Sequence, residues 1–405
     1  MKLWKKVLIG LVLGVVLGLF LKEQVVYLKP FGDLFIRLIK MIIVPLIFFA
    51  IISGIASVQD SKALGRVGIK ASVTYLLTTL FAIVIGLSVG TIFEPGSGII
   101  LNFTGDGASQ ITDASMIKIF DTLLSIVPEN VIGAMAQGTI LQVVFFALFT
   151  GITLNAMENE AAKRLSSIFS LLASMVFKMV HLIIQLSPVA ACALTAWVVG
   201  TQGMAVLEKL LKLVGCAYLA FGIQYLIFGL VITLWTRLSP VPFFKKSLEY
   251  QALAFSTSST KAALPTTIKV CQKRLGISKI SSSFVLPLGA SINMDGIAIY
   301  ISLCALFFAQ ATGKILTMAD YGCIILTGTL GSIGGAGIPG GTIVMLPMVL
   351  GSIGLPIEGI ALIAGIDRIV DMMRSTISIT GDATVALCVD HSEGLLDRDK
   401  YNKAV

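Results

Sequence analysis

The chain has 405 residues, of which 56% are hydrophobic and 13% charged, and its mean hydropathy is +0.95. Soluble proteins carry about 25% charged residues, so the composition excludes a dissolved globular protein, and apolar runs near the ~20 residues needed to cross a bilayer predict a multispanning α-helical membrane protein. A formal net charge of +8 does not point to nucleic acid, because the basic residues cluster beside apolar runs, as the positive-inside rule expects.

The opening MKLWKKVLIGLVLGVVLGLFL imitates a signal peptide, but no small-residue cleavage site closes the run and Lys22 and Glu23 follow directly. It reads as a first span near 7–22 with Lys2, Lys5 and Lys6 in the cytosol. A second span is expected near 35–57, followed by Lys62, Arg66 and Lys70, and a third near 71–94. Residues 94–113 contain Glu94, Asp106 and Asp113 but no Lys or Arg, which places them outside. A broken apolar region at 115–155 precedes the cytosolic cluster Glu158, Glu160, Lys163 and Arg164. Further spans are expected near 161–186, 205–236, 278–311 and 356–389. Six scattered cysteines without a Cys-x-x-Cys pair, and only two histidines, read as small core residues rather than metal ligands.

Two segments do not behave as spans. Residues 244–276 have a Ser/Thr-rich centre ending at Pro265 and basic residues at both ends, which puts both ends in the cytosol. Residues 329–356 are apolar but carry GGAGIPGG at their middle, a poor helix interior. Both read as re-entrant hairpins, the second opening from the outside, and such an opposed pair suggests an inverted structural repeat. Between them, Asn293-Met294-Asp295-Gly296 in mid-span predicts an unwound stretch, tolerated where it lines a cavity or holds an ion.

The final span carries GIDRIVDMMRSTISITGD at 365–382. At about 100° per residue, Asp367, Asp371, Arg374, Ser378 and Asp382 fall on one narrow stripe. A charge at the bilayer centre costs at least ~2.5–3.5 kcal/mol on insertion scales. The stripe must therefore face protein, water, ions or substrate. The structural alternative is mutual neutralisation of Asp367, Asp371 and Arg374, which pins helices together; that alternative explains neither the Asn-Met-Asp break nor the hairpins.

The order of these motifs, a Ser/Thr-rich hairpin ending in Pro, NMDG, a glycine-rich hairpin, then Asp-x-x-x-Asp-x-x-Arg and Gly-Asp, resembles the dicarboxylate/amino acid:cation symporter family of glutamate and neutral amino acid transporters. The resemblance extends to PLIFFAIISGI (45–55) and YLLTTLFAIVIGL (75–87). It implies an all-α elevator-type transporter with about eight transmembrane helices and two re-entrant hairpins, forming a homotrimer in the inner membrane of a prokaryotic cell with both termini cytosolic. The implied scaffold comprises 1–70 and 115–200, the mobile transport domain 71–114 and 201–390, and the cytosolic tail 391–405.

By the same resemblance, one sodium rests on Tyr75, Thr78, Thr79, Asn293 and Asp295. A second rests on Asp382 with carbonyls of Gly289, Asn293 and Ser378, and a third on carbonyls of Ser291, Ser332, Ile333 and Gly335. Carboxylate and carbonyl oxygens suit a hard cation. Asp371 is implied to hold a substrate amine and Arg374 an acidic side chain, with Ser375, Ser378 and Ile297 alongside. The α-carboxylate is received at the hairpin tips near Ser259, Thr260, Ile338 and Gly340.

Four positions depart from the family pattern: Ile297 for Thr, Ser378 for Asn, Lys261 for Ser in the first tip, and Ile301 where animal members carry a proton-accepting Glu. Lys261 either snorkels to the cytosol or adds charge near the substrate. No cofactor is implied beyond the coupling ions. The expected function is sodium-coupled symport of glutamate or aspartate. The alternatives are sodium- or proton-coupled symport of a C4-dicarboxylate or a neutral amino acid, an intramembrane hydrolase using a hydroxyl among Ser256–Thr260 with Lys261 as base, and an ion channel.

Overall fold

The computed structural model describes residues 3–56, 62–99, 127–157, 160–334, 340–357 and 360–403, and every regular element among them is helical. α1 (Leu3–Leu21) leads through a 3₁₀ stretch at Lys22–Tyr27 into α2 (Lys29–Ala56), followed by α3 (Lys62–Phe93). Then come α4 (Val131–Gln137), α5 (Ile140–Ala156), α6 (Glu160–Ile184), α7 (Ser187–Gln202) and α8 (Met204–Thr236). The first helical pair is α9 (Pro240–Thr257) with α10 (Thr260–Lys273). α11 (Lys279–Ile292) and α12 (Asp295–Ala311) precede the second pair, α13 (Met318–Gly334) with α14 (Gly341–Ser352). α15 (Ile360–Ser392) and the short α16 (Arg398–Asn402) close the described chain.

Among the described residues, four stretches have the length and composition to cross a bilayer: Arg66–Phe93, Glu160–Ile183, Met204–Thr236 and Lys279–Ala311. α15 is as long as α8, at 33 residues, but it carries the charged stripe. Along α6, Leu165, Ile168, Leu171, Met175, Met179 and Leu182 are exposed. A row of that kind suits hydrocarbon rather than water. α12 is the opposite case: among Asp295–Ala311 only Gln310 is not fully buried. It lies among α3, α13, α14 and α15. Helices α1, α2, α5, α6 and α7 pack on one another, with α1 against α7 and α2 against α5, α6 and α7, while α8 to α15 pack together with α3.

Several boundaries differ from the sequence reading. No element was expected between 186 and 205, yet α7 occupies Ser187–Gln202. Pro188 sits in its first turn, where the missing N–H does no harm, so the Ser-Pro pair starts a helix instead of ending one. The first pair begins at Pro240 rather than 244, because Ser239 caps it by accepting from the Val241 N–H. The second begins at Met318 rather than 329. Thr317 and Asp320 form a reciprocal cap there, the Asp320 carboxylate accepting from the Thr317 N–H at 2.8 Å and the Thr317 hydroxyl accepting from the Asp320 N–H at 3.2 Å. The expected helical region at 115–155 resolves into α4 and α5, meeting near Gly138, while its residues 115–126 lie outside the described residues.

Both pairs are tied at their base by a lysine. Lys314 donates to the Ile353 carbonyl that follows α14, and pairs with Asp320 at 3.4 Å. Lys246 on α9 is only 4% exposed and donates to the carbonyls of Arg274 (2.9 Å), Lys400 (2.9 Å) and Tyr401 (2.6 Å). Three acceptors around a buried ammonium replace its lost water. Thus α16, in the segment expected as a tail, docks on the base of the first pair. Tyr401 is fully buried and donates to the Ser239 carbonyl at 2.8 Å, and the Asp397 N–H donates to the Gly276 carbonyl at 3.0 Å. Gly276 has φ +73°, and a β-carbon there would stand 2.3 Å from the Asp397 carbonyl oxygen.

This predicts two separable penalties. Gly276→Ala and Gly313→Ala both force alanine into a left-handed conformation, at roughly 1–2 kcal/mol. Gly313 has open space around it (φ +70°), so only Gly276→Ala should also release α16. Hydrogen exchange at residues 397–402 in the purified protein should rise for Gly276→Ala alone; equal protection in both variants would contradict the docked arrangement.

Candidate functional site

The charged stripe of α15 is buried from end to end. Asp367 is 4% exposed, Asp371 1%, Arg374 2%, Ser378 1% and Asp382 0%. It meets two distinct groups of side chains, one near each end.

Around Asp382 the chain gathers oxygen atoms from four helices. The break expected at NMDG is present: α11 ends at Ile292, Asn293 caps it in an extended conformation (φ −110°, ψ 101°), and α12 starts at Asp295. A polar pair interrupting an apolar run cannot be left against lipid, and here it turns inward. Thr78 and Thr79 of α3 lie 3.3 Å from the Asn293 side-chain oxygen, and Thr79 is also 3.3 Å from an Asp295 oxygen. The Asn293 amide donates to Asp382 Oδ1 at 3.0 Å. Tyr75 donates to the Val285 carbonyl at 2.9 Å. Gly289 is obligatory, since a β-carbon there would stand 2.5 Å from both the Asp382 and the Tyr75 oxygens. The other oxygens of the two carboxylates, Asp295 Oδ2 and Asp382 Oδ2, are buried without a hydrogen-bond partner among the described residues. Two buried acceptors in that condition are costly unless a cation or proton sits with them.

One member of this group escaped the sequence reading. Gln224 on α8 lies beside Asp295 and is 1% exposed. A lone glutamine in the apolar run LAFGIQYLIFGL was the available signal.

The second group surrounds Asp371. Arg374, one turn later on α15, pairs with Asp371 Oδ1 and donates to the Thr342 hydroxyl of α14 at 2.9 Å. Asp371 Oδ2 accepts from the Gly340 N–H at 3.2 Å and from Arg368 at 3.3 Å. Gly340 caps the twelve-residue helix α14 with φ +76°. The N-terminus of a helix, with its unpaired N–H groups and positive dipole end, therefore faces a carboxylate. Asp367 Oδ1 is buried without a partner among the described residues.

Ser378 links the two groups, its hydroxyl accepting from the Gly296 N–H at 3.2 Å at the start of α12. Ile297 and Ser375 are buried beside it on α12 and α15. Ser259 caps α10 by accepting from the Ala262 N–H, and Thr260 is buried in its first turn. The hydroxyls of Ser291 and Ser332 donate to carbonyls of their own helices, at Pro287 and Thr329. Ile333 lies in the last turn of α13; Gly335 and Ile338 lie outside the described residues.

Residues 3–392 match the sodium:dicarboxylate symporter family. The chain is 33% identical to the proton/glutamate-aspartate symporter of Escherichia coli, over 98% of this chain and 94% of that protein. It is 36% identical to C4-dicarboxylate transport protein 1 of Ralstonia nicotianae, over 100% of this chain and 95% of that protein. The proton/sodium-glutamate symport protein of Bacillus subtilis is 34% identical, over 98% and 94%. The helical architecture, the buried charged stripe and these full-length similarities agree: the chain is a multi-pass membrane transporter, not an enzyme, and belongs to the sodium:dicarboxylate symporter family.

Proposed function

We propose that the protein is a sodium-coupled symporter of an acidic amino acid, glutamate or aspartate. The observation that carries this reading is the buried Asp371 and Arg374, side by side on one face of α15 opposite the N-terminus of α14. An acidic amino acid presents one ammonium and two carboxylates. Asp371 matches the ammonium, the planar guanidinium of Arg374 matches the side-chain carboxylate in two-pronged fashion, and helix N-terminal amides match the remaining carboxylate. A neutral amino acid would leave Arg374 uncompensated. An amine-free C4-dicarboxylate would set its charge against Asp371; this second reading is favoured by the names of several relatives.

Sodium as the coupling ion is supported by the chemistry of the Asp382 group, where carboxylate, amide and hydroxyl oxygens converge from α3, α11, α12 and α15. Binding at the two groups is coupled through Ser378 and the α11–α12 break, and such coupling is reciprocal: substrate tightens the ion as much as the ion tightens substrate. In the same reading the two helical pairs are re-entrant hairpins. The block formed by α3 and α8 to α15 moves as an elevator against the remaining helices, within a homotrimer in the inner membrane with cytosolic termini. The packing of the helices within each set supports that division, the two sets meeting mainly where α7 lies against α15.

The deciding experiment is uptake of labelled aspartate, glutamate, serine and succinate into liposomes under an imposed sodium or proton gradient. Aspartate or glutamate accumulation driven by sodium is expected; accumulation of serine or succinate alone would overturn the assignment. Arg374→Cys should abolish acidic uptake while retaining sodium binding, and unchanged acidic uptake would remove Arg374 from its role. Asp382→Asn should raise the half-saturating sodium concentration for uptake about tenfold, the equivalent of roughly 1.4 kcal/mol; an unchanged sodium dependence would detach Asp382 from the ion.

A further inference from the structure

Asp371 is held by more donors than an amine-receiving carboxylate needs. Its Oδ1 takes Arg374, and its Oδ2 takes both the Gly340 N–H at 3.2 Å and Arg368 Nη1 at 3.3 Å. Arg368 lies one turn before Asp371 on α15 and Arg374 one turn after it, so two guanidinium groups flank a single carboxylate. They are not equivalent. Arg374 is almost sealed, with 3% of its side chain exposed, and is anchored a second time by Thr342. Arg368 is 12% exposed, and its buried Nε has no hydrogen-bond partner among the described residues. Its tie to Asp371 is less enclosed than that of Arg374, so it is the guanidinium that can leave.

We propose that Arg368 is a specificity-determining residue that competes with the substrate amine for Asp371, and so sets the preference between amino dicarboxylates and amine-free dicarboxylates. The proposal rests on the substrate site inferred above and deepens it. With Arg368 in place, the negative charge of Asp371 is masked, Arg374 is available to one substrate carboxylate, and a solute with two carboxylates and no amine meets no uncompensated negative charge. When an ammonium arrives, it takes Oδ2, and Arg368 withdraws toward the rim. Like charges brought together strongly disfavour a partner, which makes the mask a selectivity device. The similarity of this chain, at 33–36% identity, to proteins named for glutamate-aspartate and for C4-dicarboxylates alike fits a choice made by a few side chains rather than by the fold.

The test uses the full-length protein in proteoliposomes. The half-saturating aspartate concentration and the inhibition of aspartate uptake by succinate are measured for wild type, Arg368→Gln and Arg368→Lys. Removing the charge should lower the aspartate constant and weaken succinate inhibition, changing their ratio about tenfold, while Arg368→Lys retains most of the wild-type ratio. Opposite movement of the two constants is what a general loss of folding does not produce. A ratio within twofold of wild type in Arg368→Gln, or a parallel decline of both affinities, would overturn the role of Arg368. Where succinate fails to compete even with wild type, the aspartate constant decides alone, and its failure to fall overturns the proposal. If wild type imports neither aspartate nor glutamate, the acidic amino acid reading itself falls, which is distinct from a transporter whose selectivity ignores Arg368.

Discussion

Ionised groups in a low-dielectric interior must be paired, solvated or bound to an ion, and the burial of the α15 stripe imposes that requirement on everything around it. Asp371, Arg374 and Asp382 sit on a helix with apolar helices on most sides. Their partners come from other parts of the chain: Asp371 and Arg374 draw theirs from the start of α14, at Gly340 and Thr342, and Asp382 from the end of α11. The pairings thereby hold together segments far apart in sequence. A soluble protein could leave such charges at its surface; a membrane protein must assemble a polar interior for them.

The break between α11 and α12 serves the same requirement from the backbone side. Two residues leave helical conformation, and the Asn293 side chain at the break meets Thr78, Thr79 and Asp382 rather than hydrocarbon. Because Ser378 bonds to the Gly296 amide just beyond the break, the oxygen group at Asp382 and the charged pair at Asp371 share one rigid connection. In the proposed reading that geometry couples ion to solute, since displacement at either group would change the alignment of α12 against α15.

The two helical pairs illustrate how similar local solutions acquire different restraints. Each is tied at its base by a lysine, but Lys314 reaches one carbonyl and one carboxylate near the surface, whereas Lys246 is buried and also binds α16. The first pair is therefore fastened to the C-terminal segment as well as to itself. The second is tied at its base by Lys314, and near its tip Gly340 meets Asp371 and Thr342 meets Arg374. Restraint at the base with contact at the tip is the arrangement expected of a segment that, in the proposed reading, responds to substrate at Asp371.

Much of this was legible in the sequence, because the bilayer enforces simple rules. Long apolar runs, the mid-span Asn-Met-Asp and the charge stripe each violate or obey a single local preference, so their meaning survives without coordinates. Helix starts are less legible: the Ser-Pro start of α7 and the Thr317–Asp320 cap of the second pair are local devices that hydropathy does not register. The place of Gln224 beside Asp295 and the docking of α16 on Lys246 were decided by tertiary structure alone. Each joins residues separated by scores of positions, and a burial partner chosen across that distance depends on how the helices cross. The sequence by itself determined which groups are too polar to meet lipid; only the packing of the helices decided which of them meet one another.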